Sequence, residues 1–487
     1  MRPISFLNST KQLTQTALFT SVNPEAGGLI RSTLVRREAR NTVIARPIGA
    51  VRAVPGHGRV AGIVSAIAAC AWARALVLTA FMLTAPAVLA AAPPPDARAD
   101  SAEARFERVL QGVTGGKLPA ALDEVGRLAE RSPNWRLAPL VHGDLLLARA
   151  APIAGFGNTG NAASERLEDF RVEALARLRA LRDPPPANSI PRYLLQFDQA
   201  QKNAIVVDAG RSRVYVYENA GGTPRLVQDF YSTLGKNGID KLREGDRKTP
   251  LGVYYVTAQI PGRKLPDLYG WGAFPINYPN EWDRMAGRTG YGIWLHGVPA
   301  DTYARAPRAS DGCIALANAD IAELANRVQV GVTPVIIADQ IEWTTPEARA
   351  DERKAFMDRL RAWREDWESL DAERYLANYA REFRSAGMDL AAWGAHKRRV
   401  NASRRWIKVS LENVSVLRGP GKEPLMVVTF DQDYRSNNLV QKTRKRQYWT
   451  MEGGRWRIAH EAPARGAPLV LPESFPRQRA SLAQGKR

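Results

Sequence analysis

Tyr291-Gly-Ile-Trp-Leu-His296-Gly297, followed after twelve residues by Ser310-Asp311-Gly312-Cys313-Ile314, decides how the middle of this chain is read. The first stretch is an apolar run ending on a histidine and a glycine, as a strand ends at a turn. The second is a turn of small residues that leads into apolar Ile-Ala-Leu and then a helix over 319–328, with Asn318 placed to cap it. A thiol nucleophile needs a base within hydrogen-bond reach and N–H donors facing the developing oxyanion. His296 is the candidate base for Cys313. The N–H groups around Gly312 and Cys313 are candidate oxyanion donors, because glycine allows close approach without a Cβ. A thiol pKa lowered by protonated His296 and by the helix N-terminus would suit that role. On spacing alone, two merely packed side chains remain an open reading.

Outward from this stretch the period of the chain changes twice. Residues 203–338 hold short β-branched and aromatic runs (204–208, 214–217, 226–227, 253–256 and 335–337) separated by Gly, Asn and Pro turns, which predicts a mostly β domain. Before it, residues 101–190 read as a helical unit. Phe106, Val109 and Leu110, then Leu118, Leu122, Val125 and Leu128, recur at three- and four-residue steps, and a last helix carrying Leu167 to Leu181 stops at Pro184-Pro185-Pro186. After the β domain, residues 352–462 begin with a helical stripe of Phe356, Leu360, Trp363 and Trp367, more readily core than a sugar-stacking platform. A second helix is predicted to carry Leu376, Tyr379 and Phe383. Strands follow near 406–411, 425–430, 447–450 and 456–458, which together give an α+β cone. The fold class is multidomain α+β.

The wording of the stretches adds to their spacing. His296-Gly297 with Ser310-Asp311-Gly312-Cys313-Ile314 resembles the active-site signature of L,D-transpeptidase (YkuD-type) catalytic domains. Ser232-Thr233-Leu234-Gly235-Lys236 and the turn Gly245-Asp246-Arg247-Lys248-Thr249-Pro250-Leu251-Gly252 are similar to that family's earlier landmarks. Asp246 itself reads as a turn residue bonding its own backbone rather than an acid catalyst. The resemblance covers residues 203–338. It implies that Cys313 attacks the peptide carbonyl at an L-to-D junction of a peptidoglycan stem, with His296 as base and a thioester intermediate. Ser310, Asp311, Gly312 and Gly297 are the implied substrate-binding positions. An amine acceptor makes the enzyme a transpeptidase, and water makes it an L,D-carboxypeptidase. Asp311 stands where the family usually has His, and Ala315 where Arg is frequent, so Arg305 or Arg308 is a candidate substitute. The order of helical unit, YkuD-type domain and nuclear-transport-factor-2-like cone resembles the cell-shape-determining L,D-carboxypeptidase subgroup. A wall-binding protein with an inactive catalytic domain is the third reading.

Charge and cysteine content bound the rest. The net charge of +20 on 487 residues is +8 over 1–92, −1 over 93–389 and +13 over 390–487. The basic C-terminal domain is a candidate docking site for an anionic envelope polymer, centred on Lys442, Arg444, Lys445 and Arg446, whose default is a solvated strand face. No DNA-binding motif accompanies it, so nucleic acid is not expected. Two cysteines, Cys70 and Cys313, exclude a disulfide framework, and His396 and His460 lack partners at ligand spacing, so neither metal nor cofactor is expected. Residues 75–90, apolar and preceded by Arg74, exit through Ala90-Ala91-Ala92 like a signal peptide, which points to the periplasm. Residues 1–59 read as upstream of the true start, and 463–487 as a loose basic tail. Paired helices such as those of 101–190 commonly pack or dimerise, so a homodimer through that unit is expected.

Overall fold

A computed structural model describes residues 100–153, 155–157 and 164–464. The segments expected to direct export, Cys70 and the tail beyond 464 lie outside the described residues.

Four helices come first: α1 (Ala102–Thr114), α2 (Leu118–Arg131), α3 (Leu137–Leu147) and α4 (Ser164–Arg182). Ser101 caps α1 by accepting from the Ala104 N–H, and α2 begins with proline in its first turn, where the missing N–H costs nothing. Phe106, Val109, Val125, Leu128 and Trp135 fill their common core.

A short strand, β1 (Leu194–Gln196), leads into the β domain. Its five-stranded sheet runs β4 (Thr223–Tyr231), β3 (Arg213–Ala220), β2 (Asn203–Asp208), β9 (Pro334–Ala338), β5 (Gly252–Tyr255). Every residue of β2 is buried, because both faces of the sheet are covered. Ile205, Val207, Val214 and Val216 face a core shared with β6 (Gly272–Pro275), β7 (Trp294–His296), β8 (Ile314–Ala315) and helix α5 (Asn318–Ala325). Ala204, Val206, Tyr215 and Tyr217 face the other way, against Leu417, Val427 and Tyr448 of the C-terminal domain.

That domain opens with α6 (Pro346–Glu368), whose stripe Phe356, Leu360, Trp363 and Trp367 is buried core, as its spacing requires. The second expected helix is different. It stops at Leu376, and Tyr379–Ser385 is strand β10, followed by helix α7 (Leu390–Ala402). Residues four apart share a face in a strand as well as a helix, so Tyr379 and Phe383 satisfied both patterns. Four strands, β11 (Ile407–Arg418), β12 (Leu425–Ser436), β13 (Val440–Glu452) and β14 (Arg455–Pro463), are each longer than their apolar runs. They bend the sheet β10-β14-β13-β12-β11 around α6, and β1 adds to its β11 edge.

The basic run on β13 is drawn inward rather than solvated. Arg444 pairs with Asp198 and Asp431, Lys445 with Glu461, and buried Arg446 stacks 3.9 Å from the Tyr255 ring across the domain seam. Only Lys442, paired with Asp433, keeps a largely exposed side chain within this run.

The helical unit joins the β domain through buried charges. Glu103 accepts from Arg177 at 2.8 Å and from Arg213, which also pairs with Asp229. Glu173 accepts from Arg177 and from the Trp135 indole, and the Arg177 guanidinium lies 4.0 Å from the Tyr231 ring. Removing one partner would leave guanidinium charge buried and under-compensated. Glu103→Ala is therefore expected to destabilise the seam by about 3–5 kcal/mol, read as a lower-temperature transition in calorimetry. Glu124→Ala, on a partly exposed arginine cluster of the same unit, should cost under ~1 kcal/mol.

Candidate active site

Strands β7 and β8 are parallel neighbours, with Leu295 opposite Ile314 and His296 opposite Ala315. On the far side β7 pairs antiparallel with β6, placing His296 opposite Ala273. Alternation then sorts the side chains. Phe274, Leu295 and Ile314 enter the main core, while Ala273, Trp294 and Cys313 cluster on the opposite face, over which Tyr269 packs. His296 shares that face, being two residues after Trp294 and opposite Ala273. Cys313, two residues before Ala315, lies diagonally across from His296 on the neighbouring parallel strand.

Each of the two residues is held by backbone. His296 Nδ1 is 2.6 Å from the Gly297 carbonyl, so Nδ1–H is the donor and Nε2 carries the free lone pair. The Tyr269 ring meets the imidazole edge-on at 5.0 Å. Burial pulls the His296 pKa down to about 4; the Gly297 carbonyl raises it and nearby Arg305 lowers it further. The Cys313 thiol donates to the Gly292 carbonyl at 3.3 Å. Its side chain is half-buried by surface but closely surrounded, and desolvation pushes the thiol up to about 11. The Trp294 N–H, Lys241 and Arg305 oppose that rise, and Asp311 adds to it. The pair therefore rests as neutral thiol and neutral imidazole near pH 7. This reverses the lowered thiol pKa expected from sequence, because a buried, neutral His296 supplies no positive charge.

The turn before Cys313 is fixed from two sides. Gly312 has φ +123°, and a Cβ there would meet the Lys248 carbonyl, so only glycine fits without strain. Thr249 Oγ1 donates to the Gly312 carbonyl at 3.0 Å and accepts from the Gly235 N–H at 2.9 Å, tying both upstream landmarks to the turn before Cys313. Asp246 accepts from the N–H groups of Leu242, Arg243 and Lys248 and pairs with Lys241, the turn role read from sequence.

The family model described as the L,D-transpeptidase catalytic domain (YkuD) matches residues 202–337, with both landmarks and the His–Cys stretch inside it. Residues 202–337 belong to the L,D-transpeptidase catalytic domain family. The Cds6 C-terminal NTF2-like domain matches residues 355–462. Among solved structures, Bd1075 of Bdellovibrio bacteriovorus is 28% identical, covering 56% of this chain and 98% of its own, with TM-score 0.51. A point mutant of the helical cell shape determining protein Pgp2 of Campylobacter jejuni is 25% identical, covering 56% and 94%, with TM-score 0.49. No curated protein matches the chain.

Within the L,D-transpeptidase domain, the six residues singled out from sequence lie at two turns, one after Trp294–His296 and one before Ile314–Ala315, and do different things. Ser310 is buried, its hydroxyl accepting from the Gly312 N–H and donating to the Cys313 carbonyl at 2.6 Å. It braces the turn. The Gly312 N–H is thereby engaged, whereas the Cys313 N–H meets no acceptor among the described residues. Asp311 stands exposed at the mouth, paired with Lys236 at 3.1 Å and Arg247 at 3.8 Å. A Cβ on Gly297 would collide with Asn318 Oδ1. Asn318 is the first residue of α5, not its cap; its side chain accepts from Trp271 and Val298 N–H groups and donates to the Val298 carbonyl. It locks the turn after His296 instead. Arg308 donates to the Ala209 carbonyl, away from the thiol, while Arg305 lies within electrostatic reach of both Cys313 and His296. Tyr269 had no sequence signal, because nothing in its neighbourhood departs from ordinary turn composition.

In the free protein, alkylation of Cys313 by iodoacetamide should keep rising with pH toward about 11 rather than levelling off below pH ~8. Peptide mapping that shows a plateau near neutrality would contradict the neutral pair.

Proposed function

We propose that this chain is a cysteine acyl-transfer enzyme acting on peptidoglycan stem peptides, in cell-wall cross-linking or remodelling. The observation that carries the reading is the placement of Cys313 and a neutral, Nδ1-anchored His296 on one face of adjacent parallel strands. Cys313 Sγ bonds to the carbonyl carbon of an L-to-D junction while its proton passes to His296 Nε2. The Cys313 N–H, which meets no acceptor among the described residues, is the donor for the oxyanion. The C–N bond then breaks, and His296 returns the proton to the departing amine, leaving a thioester on Cys313. An acceptor attacks the thioester, gives a proton to His296, and releases the thiol.

An amine acceptor yields a cross-linked or tethered stem, the L,D-transpeptidase reaction that the matched family is described by. Water as acceptor yields a tripeptide, the L,D-carboxypeptidase reaction. That second reading is favoured by the presence of an NTF2-like cone directly after the catalytic domain in one chain, the order of the cell-shape subgroup. Either reaction places the protein in the periplasm, through the export segment near 75–92.

Full-length protein incubated with purified tetrapeptide muropeptides should convert them, and Cys313→Ala should not. Mass spectrometry separates the readings: dimers or amine-exchanged stems mark a transpeptidase, tripeptides alone a carboxypeptidase. Unchanged substrate with folded protein and several acceptors would leave the inactive wall-binding reading. His296→Ala should lower kcat/KM by ~10²–10⁴-fold without a comparable change in melting temperature.

A further inference from the structure

Arg308, in the stretch between His296 and Cys313, meets helix α4 and the turn that joins β2 to β3 around a cavity of about 330 Å³. Neither His296 nor Cys313 lines it. Its lining carries the guanidinium groups of Arg179, Arg211 and Arg308 against the single carboxylate of Asp183, and its apolar part comes from Val172 and Leu175 of α4.

Two polar groups of this lining have no partner. Arg308 Nη2 donates to the Ala209 carbonyl at 3.1 Å, but Nη1 is buried and hydrogen-bonded to nothing among the described residues. No described carboxylate lies within ion-pair distance of Arg308; Asp339 bears on it from further off. Ser212 lines the cavity although it is only 3% exposed, and its hydroxyl forms no hydrogen bond among the described residues. A buried donor with nothing to bond forfeits the hydrogen bond it made to water, so native structures rarely leave one uncompleted.

The other two arginines are placed differently. Arg211 is tied down, donating to the Asp183 carbonyl and lying 3.9 Å from the Asp208 carboxylate. Arg179, in the last turn of α4, is exposed and forms no ion pair among the described residues. The donors left over therefore belong to Arg308, Ser212 and Arg179. They suit a negatively charged group with more than one acceptor oxygen. The apolar side chains of α4 suit a short hydrocarbon attached to that group.

We infer that this cavity is a second binding site, for a carboxylate borne on a short apolar group, between the helical unit and the catalytic domain. The two carboxylate oxygens accept from Arg308 and Ser212 together, and the apolar remainder covers Val172 and Leu175. Inorganic phosphate meets the same donors but leaves that apolar surface wet, so it is the weaker ligand. The inference does not depend on the reaction at Cys313.

The test is calorimetric titration of full-length protein, at fixed ionic strength, with N-acetyl-leucine, its carboxamide and inorganic phosphate. The acid should bind saturably, and the carboxamide and phosphate about tenfold or more weakly. Arg308→Gln should weaken the acid by about tenfold and Ser212→Ala by several-fold, while Arg225→Gln, which removes an equal charge from an exposed pair elsewhere, should leave it within twofold. If Arg308→Gln fails to fold, Ser212→Ala and the exposed Arg179→Gln carry the same test. No saturable binding of the acid would overturn the inference. So would carboxamide or phosphate binding as tightly as the acid, or undiminished acid binding in folded Arg308→Gln or Ser212→Ala.

Discussion

The pairing of Trp294–His296 with Ile314–Ala315 sets where everything else in the site must lie. Side chains alternate across these strands, so a register one residue away would send Leu295 and Ile314 out of the core and turn the site residues into it. The burial of Phe274, Leu295 and Ile314 therefore specifies the register and leaves Trp294 and Cys313 on the other face. Around that pairing the smaller contacts share one purpose. Asn318 and Gly297 fix the turn leaving His296, while Thr249, Ser310 and Gly312 fix the turn entering Cys313.

The flanking domains bear on the site from opposite directions. The cone covers the outer face of the five-stranded sheet, so that sheet has two dry faces. The helical unit reaches the loop between His296 and Cys313 directly, through Trp135 against Tyr303, and is itself held by Glu103, Arg177 and Arg213. The resulting burial explains why both reacting groups are neutral at rest. Desolvation disfavours charge on imidazole and thiol alike.

Much of this was legible in the sequence, for reasons tied to particular residues. Apolar periodicity placed the helices around Phe106, Val125 and Trp363, and the β-branched runs of 204–208 and 335–337 marked two central strands buried on both faces. The wording around His296 and Cys313 singled out two residues that the fold sets on neighbouring parallel strands. What eluded it depends on distant partners. Leu194–Gln196 is too short to show a period, yet it extends the cone's sheet. The basic residues of β13 looked solvent-facing because Asp198 lies 246 residues from Arg444 in the chain. Asn318 looked like a cap because composition cannot show that its amide is taken by Val298. The thiol's pKa could not be read at all, since desolvation is a property of packing.

The central claim, that Cys313 carries the acyl group, is tested most directly by acid-quenching full-length protein with a tetrapeptide stem and mapping the adduct by intact and peptide mass spectrometry. The account predicts an adduct equal to the stem without its last residue, on the peptide containing Cys313 and released by hydroxylamine as a thioester. An acyl group mapped to any other side chain would contradict it.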